Sequence, residues 1–124
     1  MDEVEYCLDT YALMEIAGAN PKFAEFVTSP FVVTSATLAE FYSVLLREHD
    51  ENTAEWWFNK LKESSVDVNA IIFKEAIKFR DKNRKKSISI FDAVGYVYAL
   101  ANNLLFVTGD KEFEGMKNVE FRKK

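Results

Sequence analysis

The sequence has a single cysteine, a single histidine and no glutamine. Cys7 has no partner for an internal disulfide and lies in the apolar run Tyr6-Cys7-Leu8, so it reads as a buried thiol in a reducing compartment. His49 ends a charged helical stretch and reads as solvated, and with one Cys beside it the spacing of a zinc site is excluded. The missing glutamine points toward heat adaptation, but eight asparagines point the other way. No apolar run approaches the ~18 residues needed to span a membrane, and the acidic start Met1-Asp2-Glu3 has the wrong charge for a secretory leader. A soluble, cytoplasmic protein is expected.

What is present suffices for one sizeable core: 124 residues, 48% hydrophobic, with 11 Phe, read as a single domain over residues 1–124. No linker, repeat or low-complexity segment interrupts it. Short runs rich in Val, Leu, Ile and Phe alternate with longer stretches of helical period, the pattern of an α/β fold with a mainly parallel sheet. Strands are predicted at Val4–Leu8, Phe31–Thr34, Val66–Val68, Leu104–Thr108 and Val119–Phe121. Helices are predicted at Thr10–Ala17, Pro21–Thr28, Ser35–Glu48, Glu51–Glu63, Ala70–Arg84 and Ser89–Asn102. Ile72, Phe73, Ala76, Ile77 and Arg80 share one helical stripe, and the helix from Ser89 is apolar on nearly every side, as a central helix is. Trp56, Trp57 and Phe58 fan over about 200° of helix and cannot share one narrow stripe, so Trp56 is either covered by a second helix or part of a protein interface.

Four carboxylates stand at positions with chemical potential. Asp9 follows the first strand, Asp110 follows the fourth, and Glu40 and Asp92 lie early in helices. In a parallel sheet, strand C-termini and the starts of the following helices gather at one edge, where such folds bind ligands. Each acid also has a purely structural reading. Thr37-Leu-Ala-Glu40 and Ser89-Ile-Phe-Asp92 match the capping box, and Asp9 and Asp110 fit simple N-caps. Together, four acids at one edge would repel one another unless a cation neutralised them, and an all-oxygen ligand set selects Mg²⁺ or Mn²⁺.

The residues Leu8-Asp9-Thr10, Ala39-Glu40, Ile90-Phe91-Asp92-Ala93 and Val107-Thr108-Gly109-Asp110 resemble a PIN domain, the metal-dependent nuclease fold that includes VapC-type toxins of toxin-antitoxin pairs. The resemblance covers essentially the whole chain. It implies a three-layer α/β/α sandwich around a central, mainly parallel five-stranded sheet, with an acidic pocket that binds divalent metal and hydrolyses RNA. Asp9, Glu40, Asp92 and Asp110 map onto the family's metal-binding, catalytic acids, and Thr10 and Thr108 onto hydroxyls that support the site. An N-cap remains an alternative for Thr10. The resemblance further implies a small antitoxin partner and a homodimer. Gly109 is expected to leave room for metal or phosphate.

Carboxylates repel phosphates, so substrate affinity must come from elsewhere. Arg80, Lys82, Arg84, Lys85 and Lys86 form a basic stretch just before the helix bearing Asp92. It reads either as a solvated helix end or as the backbone-binding rim of the cleft. Three rivals to a toxin ribonuclease remain: a degenerate PIN-like binding module, an RNA-processing nuclease outside any toxin pair, and a phosphoryl-accepting receiver domain. The last lacks the paired acids after the first strand that its chemistry uses.

Overall fold

The alternation in Tyr6-Cys7-Leu8 sends neighbouring side chains to opposite faces of a strand, and the tertiary structure uses both faces. A computed structural model describes residues 3–124, so Met1 and Asp2 of the acidic start lie outside the described residues. Cys7 and Phe106 join the core on one side of the sheet, and Leu8, Val33 and Val107 join the core on the other. Helices cover both faces, giving the three-layer α/β/α sandwich.

The strands are β1 (Tyr6–Leu8), β2 (Phe31–Thr34), β3 (Ser65–Val66), β4 (Leu105–Thr108) and β5 (Val119–Phe121), all paired in parallel. Their order across the sheet is β3-β2-β1-β4-β5. The chain therefore winds outward from β1 in one direction and from β4 in the other. The C-terminal ends of these two strands are the topological switch point of an open α/β sheet, where such folds bind ligands.

The helices are α1 (Thr10–Ala17), α2 (Glu25–Thr28), α3 (Ser35–Glu48), α4 (Glu51–Leu61), α5 (Ala70–Lys82) and α6 (Ile90–Ala101). Leu13, Phe26, Phe41, Leu45 and Leu61 bring α1 to α4 onto one core, while Ala76, Ala93, Tyr96 and Ala99 bring α5 and α6 onto the other. No helix among the described residues is long and apolar enough to cross a membrane.

Three expectations shift in ways that bear on the packing. The helix expected over Pro21–Thr28 is a 3-10 turn, Pro21–Phe23, followed by the short α2, which turns both Phe23 and Phe26 fully inward. The third strand is Ser65–Val66 rather than Val66–Val68, because its partner β2 ends at Thr34, opposite Val66, where α3 begins. On α5 the inward face is Ile72, Ala76 and Phe79, whereas Phe73 is 39% and Ile77 59% exposed. The stripe is rotated from the expected one because α6 lies alongside and takes positions spaced i, i+4, i+7.

Candidate active site

Asp9 leaves β1 at the switch point, and its carboxylate Oδ1 accepts the Ala12 amide at 2.8 Å, capping α1. It is 1% exposed. Burial above all, then the charge of Asp92 and more weakly that of Asp110, holds its carboxyl well above the usual range, against the opposing pull of the Thr108 hydroxyl and the Ala12 amide. The cap and the cluster are therefore the same residue. Beside it, β4 delivers Thr108, fully buried, whose Oγ1 accepts the Asp110 amide at 3.0 Å. Asp110 Oδ1 in turn accepts the Glu112 amide at 3.0 Å, capping the 3-10 turn Lys111–Phe113. The turn is anchored by Phe113, whose buried ring stands 5.1 Å from that of Phe106 and 5.4 Å from that of Tyr96.

Asp92 enters from the first turn of α6, where Ser89 is the N-cap and its Oγ accepts the Asp92 amide at 3.1 Å. Its carboxyl is pushed up to about 7, by burial first and then by the charges of Glu40 and Asp110, with the Ser89 hydroxyl opposing. The charges of Glu40 and Asp110 thus act on Asp92, and that of Asp92 acts on Asp9. Glu40 is not the capping-box acid that Thr37-Leu-Ala-Glu40 suggests. The cap of α3 is Thr34, whose Oγ1 accepts the Thr37 amide at 3.1 Å, so Glu40 falls in the second turn, beyond reach of the orphan amides. It accepts a hydrogen bond from the Thr10 hydroxyl instead. Thr10 is the first helical residue after the Asp9 cap, which leaves its side chain free for that role.

Gly109 has a steric role within the fold itself. A Cβ there would stand 2.1 Å from Cε1 of Tyr11 and 2.5 Å from the Arg122 carbonyl oxygen. The close approach of the Tyr11 ring and of the backbone just after β5 therefore demands glycine at this position.

The basic stretch ends α5 and forms the turn into α6. Lys82, Arg84 and Lys85 are exposed, with Arg84 paired to Asp81 at 3.6 Å. Arg80 and Lys86 are engaged with the backbone: Arg80 Nε donates to the Ile88 carbonyl at 2.9 Å, and Lys86 Nζ to the Glu112 carbonyl at 3.1 Å. The second bond ends two residues past Asp110. The stretch therefore borders the acid site.

A family model described as PIN domain matches residues 6–119. The chain belongs to the PIN domain family. No curated protein matches it. Among solved structures it is similar to VapC20 of Mycobacterium tuberculosis, a Sarcin-Ricin loop cleaving toxin, at 14% identity and TM-score 0.77, covering 93% of this chain and 98% of that one. It is also similar to a toxin-antitoxin complex from Klebsiella pneumoniae, at 15% identity and TM-score 0.74, covering 94% and 96%. VapBC-1 from nontypeable Haemophilus influenzae gives 22% identity and TM-score 0.70, covering 96% and 97%. At these identities the likeness is one of fold. Membership of the family sets the receiver-domain alternative aside.

The donor set of this PIN domain fits a hard divalent cation: the acids that meet at the switch point offer only oxygen, and Asp9 and Asp92 are held above the usual carboxylate range by burial first and then by neighbouring acids. Among the described residues, no three Asp, Glu, His or Cys side chains stand together closely enough to form a metal cage by themselves. The cap role of Ser89 was legible in Ser89-Ile-Phe-Asp92 and agrees with expectation. Sequence reasoning missed the anchoring roles of Arg80 and Lys86. For the carbonyl bonds of Arg80 and Lys86 no local signal exists.

Proposed function

We propose that this PIN domain is a metal-dependent endoribonuclease and the toxin of a toxin-antitoxin pair. The observation that carries the reading is the meeting of Asp9, Asp92, Asp110 and Glu40 in one electrostatic group, where the influences on Asp9 and Asp92 come from acids, hydroxyls, an amide and burial, with no Lys or Arg among them. Buried like charges of this kind require a counter-cation to stay ionised together. Bound there, Mg²⁺ or Mn²⁺ would stabilise charge developing on the phosphate and make a water easier to deprotonate for attack.

The chain's own residues orient the ligands and hold the substrate. Thr108 and the Ala12 amide fix Asp9, the Thr10 hydroxyl fixes Glu40, Ser89 fixes Asp92, and the Glu112 amide fixes Asp110. Lys82, Arg84 and Lys85 lie on the rim, where they hold the RNA backbone on either side of the scissile bond, with Arg80 and Lys86 adding charge behind them. No protein nucleophile is needed, since water attacks. Structural neighbours that include a toxin-antitoxin complex and a Sarcin-Ricin loop cleaving toxin favour the toxin role and an antitoxin partner.

The experiment is cleavage of RNA by the purified protein with Mg²⁺ or Mn²⁺, repeated in EDTA and with Asp92→Asn. Cleavage that needs the metal and is lost in the variant supports the proposal. Cleavage that persists in EDTA and in Asp92→Asn, once contaminating nucleases are excluded, overturns it.

The apolar side chains on α4 supply the protein interface. Trp56 is 58% exposed, which removes the alternative that a second helix covers it, and Phe58 beside it is 38% exposed. Only Trp57 of the three turns to the core, edge-on to Phe41 at 6.1 Å. This face forms the homodimer or seats the antitoxin. Sedimentation of wild type and Trp56→Ala at high concentration, with and without antitoxin, tests it: a monomeric wild type whose antitoxin binding survives Trp56→Ala removes the interface.

A further inference from the structure

Arg80 is counted above among the cations that attract RNA, yet its strongest contact points inward. The Nε atom donates to the carbonyl of Ile88 at 2.9 Å in a half-buried setting. Ile88 stands one residue before the Ser89 cap of α6, and its side chain is 5% exposed in the core beneath that helix. A carbonyl in this place lies outside the ladder of α6 and needs a donor from elsewhere when water is kept out. Residue 88 is thus held at two points, by its apolar side chain and by the guanidinium.

The hold passes directly to the acid site. Ser89 Oγ accepts the Asp92 amide at 3.1 Å, and the same hydroxyl bears on the Asp92 carboxylate. Wherever Ser89 goes, Asp92 follows. The platform on which Arg80 stands is itself firm: its neighbours on α5 are Ala76, fully buried, and Phe79, whose ring lies 5.1 Å from that of Tyr96 on α6. We infer that Arg80 is a positioning residue, fixing the Ile88 carbonyl and through Ser89 the placement of the Asp92 carboxylate for metal. Lysine is a poor replacement, because the donor in use is the Nε of a rigid planar fork, whereas the lysine ammonium sits one bond farther out on a flexible stem and must fold back, at an entropic cost, to reach the same carbonyl.

This rests on the nuclease reading for its kinetic readout but not for its structural one. Arg80→Lys keeps the charge and loses the Nε donor, and Arg80→Gln loses both. In the absence of RNA, both variants bind Mg²⁺ about tenfold more weakly than wild type by calorimetry, the loss typical when a group supporting a metal ligand is removed. On RNA, Arg80→Lys lowers kcat with KM and the salt dependence of binding little changed. Arg84→Ala with Lys85→Ala gives the opposite pattern, a raised KM and a salt slope flatter by about 1.4 for two single-strand phosphate contacts.

Arg80 lies on an exposed part of α5, so the lysine variant folds, as circular dichroism checks; should Arg80→Gln not fold, Arg80→Lys carries the test. Hydrogen exchange at the Asp92 and Ala93 amides in EDTA needs neither metal nor RNA, and it quickens in Arg80→Lys. Wild-type exchange in that variant overturns the inference even if the protein proves not to cleave RNA. Wild-type Mg²⁺ affinity and kcat with a flattened salt slope overturn it too, and return Arg80 to the phosphate rim.

Discussion

Asp9 and Asp50 close the N-termini of α1 and α4 with nearly the same bond: Oδ1 accepts the Ala12 amide at 2.8 Å in one case and the Thr53 amide at 2.7 Å in the other. Their protonation moves in opposite directions. The bond to the Thr53 amide, with that to the Thr53 side chain, lowers the pKa of Asp50, which stands free in solvent. Asp9 makes the same kind of bond and is nonetheless raised, because burial and the charge of Asp92 outweigh it. The capping hydrogen bond is a local property, and the electrostatic state of the carboxylate is not. A cap therefore does not argue against a site, and what marks Asp9 as functional is the company it keeps.

The sharpest break in this comparison is activity. Asp9→Asn preserves a good capping residue and removes the charge, so it should cost more than about a hundredfold in metal-dependent RNA cleavage, while Asp50→Asn, the same change in the same local role, leaves the rate within about twofold. If both variants cleave alike, the distinction between the two aspartates has no functional content.

Proton linkage gives the next largest effect. Asp92 titrates from 3.8 in an unfolded chain to about 7 in the folded one. Between those values the folded protein holds a proton that the unfolded one releases, so in EDTA stability is fully present at the acid end and falls as pH rises toward 7. Asp50 has the opposite sign: its lowered pKa contributes stability above the unfolded value, lost as pH falls through the folded one. Melting curves in EDTA between about pH 5 and pH 8 should show wild type losing a few kcal/mol relative to Asp92→Asn, and Mg²⁺ should flatten the difference. A parallel pH dependence in the two proteins would mean that Asp92 carries no raised pKa.

The smallest effect separates charge from cap at the other strand end. Asp110→Asn keeps an oxygen for the Glu112 amide and removes a charge that acts on both Asp9 and Asp92. In EDTA the variant should melt about 3–6 °C higher than wild type, roughly the response of a domain of this size to 1 kcal/mol, and Mg²⁺ should stabilise it less than wild type. A lower melting point in EDTA, with no Mg²⁺ response in either protein, would reduce Asp110 to a cap.

Much of the architecture was legible because its causes are local. The bounds of α1 and α3 and of β2 and β5 follow from apolar period and capping residues, and they agree with expectation. The misjudged elements failed where a neighbour decided: β3 stops where β2 stops, and the inward face of α5 is the face that α6 leaves to it. Among the acids, their places after strands and early in helices could be read directly, but the supposed capping box of Glu40 could not be refuted until Thr34 proved to be the cap.

By itself the sequence determined the order of elements, the parallel sheet and the four acids at the ends that such a sheet gathers together, since periodicity, caps and turns are encoded within a few residues. Only the tertiary structure decided that β1 and β4 lie side by side, and so bring Asp9 next to residues from the far end of the chain. It also decided that Gly109 makes room for Tyr11 and Arg122, and that Arg80 and Lys86 grip backbone carbonyls. The reason is common to all of these. Burial, Coulomb coupling and steric contact depend on distance in space, and in this fold the groups that set them come from elements far apart in the chain.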